Sequence, residues 1–159
     1  MPLDIVYGLM ANKWFLKTFK NKIGLIGSSN KLNLIQELMK HEEYKKYIEN
    51  DYFTDYISIA QRCAMEDPSL ENTILEQVKN STCDIFLCGM GVSKLKIFHK
   101  LKETRNCIYI DVGHGIDAIA GIANYTRPYF GSWQNYRLKN YNYNEIDFCG
   151  PKESKSIML

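Results

Sequence analysis

Residues 83–93 read CDIFLCGMGVS, and the change from apolar to small residues within them decides the fold class. Residues 84–89 (DIFLCG) are a short apolar run closed by glycine, which predicts a buried strand. Residues 92–102 carry apolar side chains at helical spacing, mostly separated by lysines, which predicts an amphipathic helix. A buried strand followed by a tight turn and a helix is the unit that builds parallel sheets.

The same unit recurs along the chain. Strands are also predicted at residues 22–27, 55–60 and 107–112, and helices at residues 3–19, 31–49, 69–79 and 116–123. Strands that alternate with helices of about ten residues or more indicate βαβ units with right-handed crossovers. The sequence therefore predicts a three-layer, Rossmann-like α/β domain with a mainly parallel sheet of about four strands. This single domain is expected over residues 1–149, with a loose tail over residues 150–159.

The composition is that of an ordinary globular protein. Of the 159 residues, 45% are hydrophobic and 24% are charged, which argues against a disordered chain. No apolar run approaches the ~18 residues of a membrane span, and the first residues lack the basic region of a secretory signal. The net charge of +2 is lower than a dedicated nucleic-acid binder usually carries. We therefore expect a cytoplasmic protein without a membrane span.

The five cysteines predict neither disulfides nor a metal site. Their number is odd, and no two of them form a C-x-x-C pair. A zinc site needs clustered thiolate or imidazole ligands, and the sequence shows no such cluster. We expect most of these cysteines to be small buried residues.

Small and polar residues follow three of the predicted strands, at residues 27–30 (GSSN), 89–93 (GMGVS) and 111–117 (DVGHGID). Because parallel strands end at one edge of a sheet, these turns are expected to form one ligand site there. Helix N-termini and glycines at such an edge suit the binding of phosphate groups. The candidate donor contacts are Gly27, Ser28, Ser29, Asn30, Gly89, Gly91 and Ser93. A plain helix cap at residues 29–30 and a simple tight turn at residues 89–91 remain alternatives.

Asp111 and His114 are the candidate catalytic residues. Asp111 ends a buried strand, where a carboxylate is costly unless it is paired or functional. His114 is able to act near neutral pH as a base, a phosphate donor or a metal ligand. The alternative is that Asp111 caps backbone N–H groups and that His114 is only a turn residue.

Residues 127–137 (RPYFGSWQNYR) combine aromatic rings with arginine and amide side chains. Such residues suit a planar base or a sugar ring, and arginine binds phosphate through two hydrogen bonds. We expect Arg127, Trp133 or Arg137 to face the predicted site. An aromatic flap that covers one face of the sheet is the alternative.

The strands and turns resemble the Rossmann-like core of GT-D-type glycosyltransferases. The resemblance lies in residues 22–27 (KIGLIG), 55–59 (DYISI), 83–93 (CDIFLCGMGVS) and 109–114 (YIDVGH), within a similar region of roughly residues 22–122. It implies an enzyme that transfers a sugar from a nucleotide donor, with a divalent metal as cofactor. The family's D-x-E motif is not found, nor is D-x-D, and the nearest pattern is EID at residues 145–147. The cofactor is therefore left undefined.

This resemblance implies a glycosyltransferase-like protein that binds a uridine diphosphate sugar and transfers the sugar to an acceptor hydroxyl. Asp111 or His114 is expected to be the base that activates this hydroxyl, and Arg127 or Arg137 to offset the charge of the leaving group. One alternative is a non-catalytic relative that acts as a binding or partner subunit, since the D-x-E motif is missing. The other is a single-stranded nucleic-acid-binding module that uses the aromatic segment. A homo-oligomeric state is left open.

Overall fold

Four parallel strands form the sheet at the centre of the computed structural model, which describes residues 2–59, 68–122, 136–143 and 157–158. The strands of this sheet are β1 (Ile23–Gly27), β2 (Asp55–Ser58), β3 (Ile85–Cys88) and β4 (Ile108–Asp111). The helices are α1 (Leu3–Ala11), α2 (Trp14–Thr18), α3 (Ser29–Leu38), α4 (Glu42–Ile48), α5 (Pro68–Asn80), α6 (Lys94–Thr104) and α7 (Gly115–Ile119). A 3₁₀ turn at Gly91–Ser93 leads into α6, and a small second sheet pairs β5 (Tyr136–Arg137) with β6 (Ile157–Met158).

The strand order β2-β1-β3-β4 places a topological switch point between β1 and β3. After β1 the chain forms β2 on one side of β1, and it then crosses back to form β3 on the other side of β1. The registers pair Ile26 with Cys88 and Cys88 with Asp111, so β1, β3 and β4 end at the same edge. The prediction that the three turns share one edge is therefore confirmed.

Helices cover both faces of this sheet, and each face has its own apolar core. On one face α1 to α4 and α7 pack against the sheet, and Leu25 and Leu87 point into that core. On the other face α5 and α6 contribute Ile74, Val78, Ile97 and Leu101. Every residue of β3 is buried, as the apolar run at residues 84–89 predicts. The predicted three-layer α/β fold is confirmed.

The single helix predicted over residues 3–19 was wrong, because the chain breaks it into α1 and α2. Lys13 adopts a left-handed conformation with φ of 57° between the two helices. Its ammonium group donates to the backbone carbonyl of Tyr47 and lies 3.9 Å from the centre of that ring. This contact with α4 depends on tertiary packing and has no local signal such as glycine.

Two other helix boundaries differ from the prediction. The helix expected over residues 31–49 is divided into α3 and α4, because His41 has extended backbone angles of φ −97° and ψ 121°. The helix expected over residues 116–123 ends at Ile119, and Gly121 follows with φ of 71°. Glycine adopts this left-handed conformation readily, so it is a common residue just beyond a helix end.

The last described segments pack on the same domain. The ring of Tyr136 lies 4.5 Å from that of Tyr47 and 6.0 Å from that of Tyr44, measured between centres. Residues 157–158 pair with this strand, whereas the rest of the predicted tail lies outside the described residues. Among the described helices none has the length and apolar character that a membrane crossing requires.

Candidate functional site

Two cavities open at the edge where β1, β3 and β4 end. The first, here called the switch-point crevice, has a volume of about 110 Å³ and includes Lys31, His114 and Asp117 in its walls. The second, here called the apolar cavity, has a volume of about 380 Å³. Gly91, Gly113 and His114 line both of them. Open α/β sheets bind ligands outside the strand ends at a switch point, which makes this edge the candidate site.

A buried carboxylate connects a lysine and a histidine in the switch-point crevice. The Asp117 side chain is only 4% exposed, and its Oδ2 atom lies 2.8 Å from Nδ1 of His114. The other carboxylate oxygen forms an ion pair with Lys31, whose side chain is 11% exposed. The His114 side chain is 43% exposed. We call these three residues the Lys31–Asp117–His114 array.

The array selects one protonation pattern for the imidazole. An ionised carboxylate only accepts hydrogen bonds, so Nδ1 of His114 is the donor to Asp117. In a neutral imidazole the other nitrogen, Nε2, then carries a lone pair. Nδ1 is bonded to the buried carboxylate, so Nε2 is the ring nitrogen that Asp117 leaves unengaged. This is the arrangement in which a histidine acts as a general base.

Two contacts hold α7 and therefore His114 in place. The Lys31–Asp117 ion pair joins α7 to the first turn of α3. The hydroxyl of Tyr44 in α4 donates to the backbone carbonyl of Ile119 at the end of α7. Burial raises the pKa of Tyr44 well above its ordinary value, so this hydroxyl remains a donor at neutral pH.

Asp111 has both carboxylate oxygens in use within the protein. Its Oδ2 lies 2.7 Å from the ammonium of Lys94, and its Oδ1 accepts a hydrogen bond of 3.1 Å from the backbone N–H of Gly113. Its side chain is 30% exposed. These contacts favour the alternative in which Asp111 caps the turn. Burial, aided by the nearby Asp111, raises the pKa of the Cys88 thiol, so Cys88 remains protonated in the strand.

The polar residues after β1 organise the start of α3. The hydroxyl of Ser28 donates to Oδ1 of Asn30 over 2.8 Å, and the same oxygen accepts from the backbone N–H of Lys31 over 2.9 Å. Ser29 is exposed, and Gly27 is buried. None of the side chains of residues 28–30 lines either cavity. What this turn brings to the crevice is Lys31.

The glycines after β3 are needed by the protein's own geometry. A Cβ atom on Gly89 would lie 2.7 Å from Cγ1 of Ile116 and 3.0 Å from the carbonyl oxygen of Gly113. Gly91 has φ of 54°, where side chains are strained. Ser93, predicted to contact the donor, is fully buried and lines neither cavity. Close packing and backbone conformation thus account for these glycines without a ligand.

The aromatic segment is only partly described. Arg137 is buried, and its guanidinium lies 4.7 Å from the centre of the Tyr143 ring. It is not a wall residue of either cavity. Arg127 and Trp133 lie outside the described residues, so their predicted place near the site stays a prediction. Within the described part of the chain, no group of three or more His, Cys, Asp or Glu side chains is arranged to hold a metal ion.

Lys31 and Asp117 are the residues that sequence reasoning missed as parts of the site. Asp117 belongs to the quoted DVGHGID turn, and its spacing of three residues from His114 suits a contact within one helical turn. Lys31 follows the GSSN turn but looks like an ordinary residue at the start of a helix. Its pairing with Asp117 depends on how α3 and α7 pack together.

Comparison with protein-family models, with characterised proteins and with solved structures finds no match to this chain. The resemblance to GT-D-type glycosyltransferases therefore stays a prediction.

Proposed function

We propose that this protein is a glycosyltransferase-like enzyme that binds a nucleotide-activated sugar along the sheet edge that includes the switch-point crevice, and transfers the sugar to an acceptor hydroxyl. The observation that carries this proposal is the Lys31–Asp117–His114 array at the edge of the sheet. A buried ion pair that fixes a half-exposed imidazole is expensive to desolvate and has a clear use in proton transfer. The class of donor, a uridine diphosphate sugar, comes from the sequence resemblance.

His114 has the role of general base in this proposal. Its Nε2 accepts the proton of the acceptor hydroxyl, and the resulting imidazolium is stabilised by Asp117. Lys31 offsets the charge of Asp117 within the wall, so the carboxylate is paired in both states of the imidazole. Positioned proton transfer of this kind typically contributes about 10²- to 10⁴-fold to a rate.

The phosphates of the donor would bind next to the turns that follow β3 and β4. Among the described wall residues of the two cavities, Lys31 and Lys94 are the lysines, and each is paired with an aspartate. Lys94 lines the apolar cavity and is paired with Asp111, so Lys31 is the lysine in the described walls of the crevice itself.

A non-catalytic binding subunit is the second candidate, and the missing D-x-E motif is the observation that favours it. Such a protein would keep the crevice and bind the nucleotide without turning it over. Single-stranded nucleic-acid binding stays a prediction, because most of the aromatic segment that suggested it lies outside the described residues.

Titration calorimetry with UDP, UDP-glucose and UDP-N-acetylglucosamine tests the proposal, together with NMR detection of UDP released from the two sugars. We expect binding of at least one sugar nucleotide and slow release of UDP. His114→Gln should lower that release by about 100-fold or more with binding nearly unchanged. His99→Gln is the matched control, because His99 is an exposed histidine on α6. Binding without release in the unmodified protein would favour the non-catalytic subunit, and no binding of any of these nucleotides would refute both.

A further inference from the structure

The apolar cavity has the size and walls of a small-molecule site. Its volume of about 380 Å³ falls within the usual range for such sites. Val6 and Tyr7 of α1 and Val112 after β4 are buried wall residues. Val92 and Leu95 also line it, although their exposed fractions are 57% and 75%. Exposed apolar side chains gathered around a hollow indicate a binding site, unlike single ones scattered over a surface.

His114 is the polar group that this cavity shares with the switch-point crevice. Because Nδ1 is bonded to Asp117, Nε2 is the atom available for a group bound in the apolar cavity. A base between two cavities is placed to take a proton from a nucleophile in one while the electrophile lies in the other. The donor crevice and the apolar cavity therefore have the relationship of two substrate sites.

We propose that the apolar cavity is the acceptor site and that the acceptor is a small phenol or alcohol with an apolar body. This inference rests on the proposed function. Lys94 and Asp111 also line the cavity, but they are paired with each other over 2.7 Å. The described walls thus offer few groups to bind the many hydroxyls of a sugar, and hydroxyls buried without partners are costly. An apolar body with a single hydroxyl directed at His114 fits these walls.

The transfer balances with the groups that the proposal names. The acceptor hydroxyl gives its proton to Nε2 of His114, and an oxygen electron pair forms the new bond to the anomeric carbon. The bond between that carbon and the phosphate oxygen breaks, and its electron pair leaves on the nucleoside diphosphate. The products are an O-glycoside, the diphosphate and a protonated imidazole, which returns its proton to solvent.

The fluorescent phenol 4-methylumbelliferone is the probe for this site. In amide NMR spectra of the full chain, it should shift the resonances of residues 92, 95, 112 and 114. Leu95→Glu should weaken its binding by about tenfold or more, because a carboxylate replaces an apolar wall residue. Ile108→Glu is the matched control, since Ile108 is an exposed apolar residue at the other end of β4. Val92→Glu provides a second test if Leu95→Glu does not fold.

Three results would overturn the proposal. The first is binding that does not depend on the apolar walls. In that case neither Leu95→Glu nor Val92→Glu changes the affinity for the phenol, or methyl glucoside binds to the same residues with equal affinity. The second is competition between the phenol and UDP, since transfer requires both to be bound together. The third is a concentration-dependent dimer, seen by sedimentation, that Leu95→Glu abolishes, which would make this face an interface between two copies.

Failure of the proposed function gives a different result. If the phenol binds at residues 92, 95, 112 and 114 but no uridine nucleotide binds, both the proposed function and the acceptor role of the apolar cavity are refuted. If UDP-glucose binds and is turned over but the phenol does not bind, the proposed function stands and only the acceptor class is refuted.

Discussion

Nδ1 of His114 lies 2.8 Å from Oδ2 of Asp117, and the side chain held by this contact belongs to a residue that lines two cavities. The carboxylate is almost fully buried, whereas the imidazole is close to half exposed. The same carboxylate pairs with Lys31 on a different helix. A buried ion pair is weak evidence for a stabilising role, because desolvation can offset the attraction between the charges. The arrangement is better explained by the control that it exerts on His114.

Asp117→Asn should lower the free energy of unfolding by about 3 kcal/mol. The substitution leaves the ammonium of Lys31, which is only 11% exposed, without its anionic partner. Urea denaturation measures the effect. Glu37→Gln is the control, because the Glu37–Lys40 pair is exposed and should contribute well under ~1 kcal/mol. If the two variants lose equally little free energy of unfolding, the buried pair contributes no more to stability than the exposed one.

His114 should be found in the tautomer that carries its proton on Nδ1. Long-range ¹H–¹⁵N NMR spectra distinguish a protonated from an unprotonated ring nitrogen. The exposed His99 serves as the internal reference in the same spectrum, since no buried carboxylate should constrain it. Asp117→Asn should remove the preference of His114. A proton on Nε2 of His114 in the unmodified protein would contradict its role as a base.

Gly89→Ala should be clearly more destabilising than Gly27→Ala. The new Cβ atom at residue 89 would lie 2.7 Å from Ile116, and overpacking of this kind typically costs about 1–3 kcal/mol. At residue 27 the nearest atom would be 3.4 Å away, which is an ordinary contact. Thermal unfolding of both variants checks the difference. Equal midpoints would mean that α7 shifts easily away from the turn after β3.

The sequence predicted the sheet because its signals are local. The apolar run at residues 84–89 is short and is closed by glycine, which favours a buried strand over a helix, and the alternation with helices restricts the topology. The break at Lys13 was not predictable in this way, since it depends on the distant Tyr47. The same contrast between local and distant signals applies to the site. His114 is predictable from its own turn, whereas the part that Lys31 plays is not. The contact of Lys31 with Asp117 exists only after α3 and α7 have packed on one face of the sheet.

Cys83 should make stability fall at alkaline pH. Burial raises the pKa of its thiol from 9.0 to about 11, with smaller effects from a hydrogen bond of Ser81 and the charges of Cys107, Asp55 and Arg105. Below pH 9 both the folded and unfolded chains keep the proton. As the pH rises from about 9 to about 11, the unfolded chain ionises first, so stability is lost.

The loss due to this thiol should be on the order of 2 kcal/mol. Urea denaturation between pH 8 and 11 measures it as the difference between the unmodified protein and Cys83→Ala, which removes the contribution of other titrating groups. The variant should show a shallower decline over this window. Parallel curves would mean that the thiol ionises alike in both states.

Asp111→Asn should distinguish the role of Asp111 from that of Asp117, the other carboxylate of the site. Asparagine keeps an oxygen that can accept the bond from Gly113, and the lost ion pair with the half-exposed Lys94 is worth about 1 kcal/mol or less. We therefore expect a small loss in the free energy of unfolding. Release of UDP from a sugar nucleotide should change by less than about threefold, because the proposed base is His114 and not Asp111.

The comparison of Asp111→Asn with Asp117→Asn decides this assignment. In the proposed reaction Asp117 acts through the imidazole, so its variant should lower kcat and shift the pH profile of UDP release while KM for the sugar nucleotide changes little. Asp111→Asn should leave the pH profile in place, because Asp111 is paired with Lys94 and not with the imidazole. If Asp111→Asn instead lowers kcat by about 100-fold with the fold intact, Asp111 is the base. The array around His114 would then be a structural feature of α7.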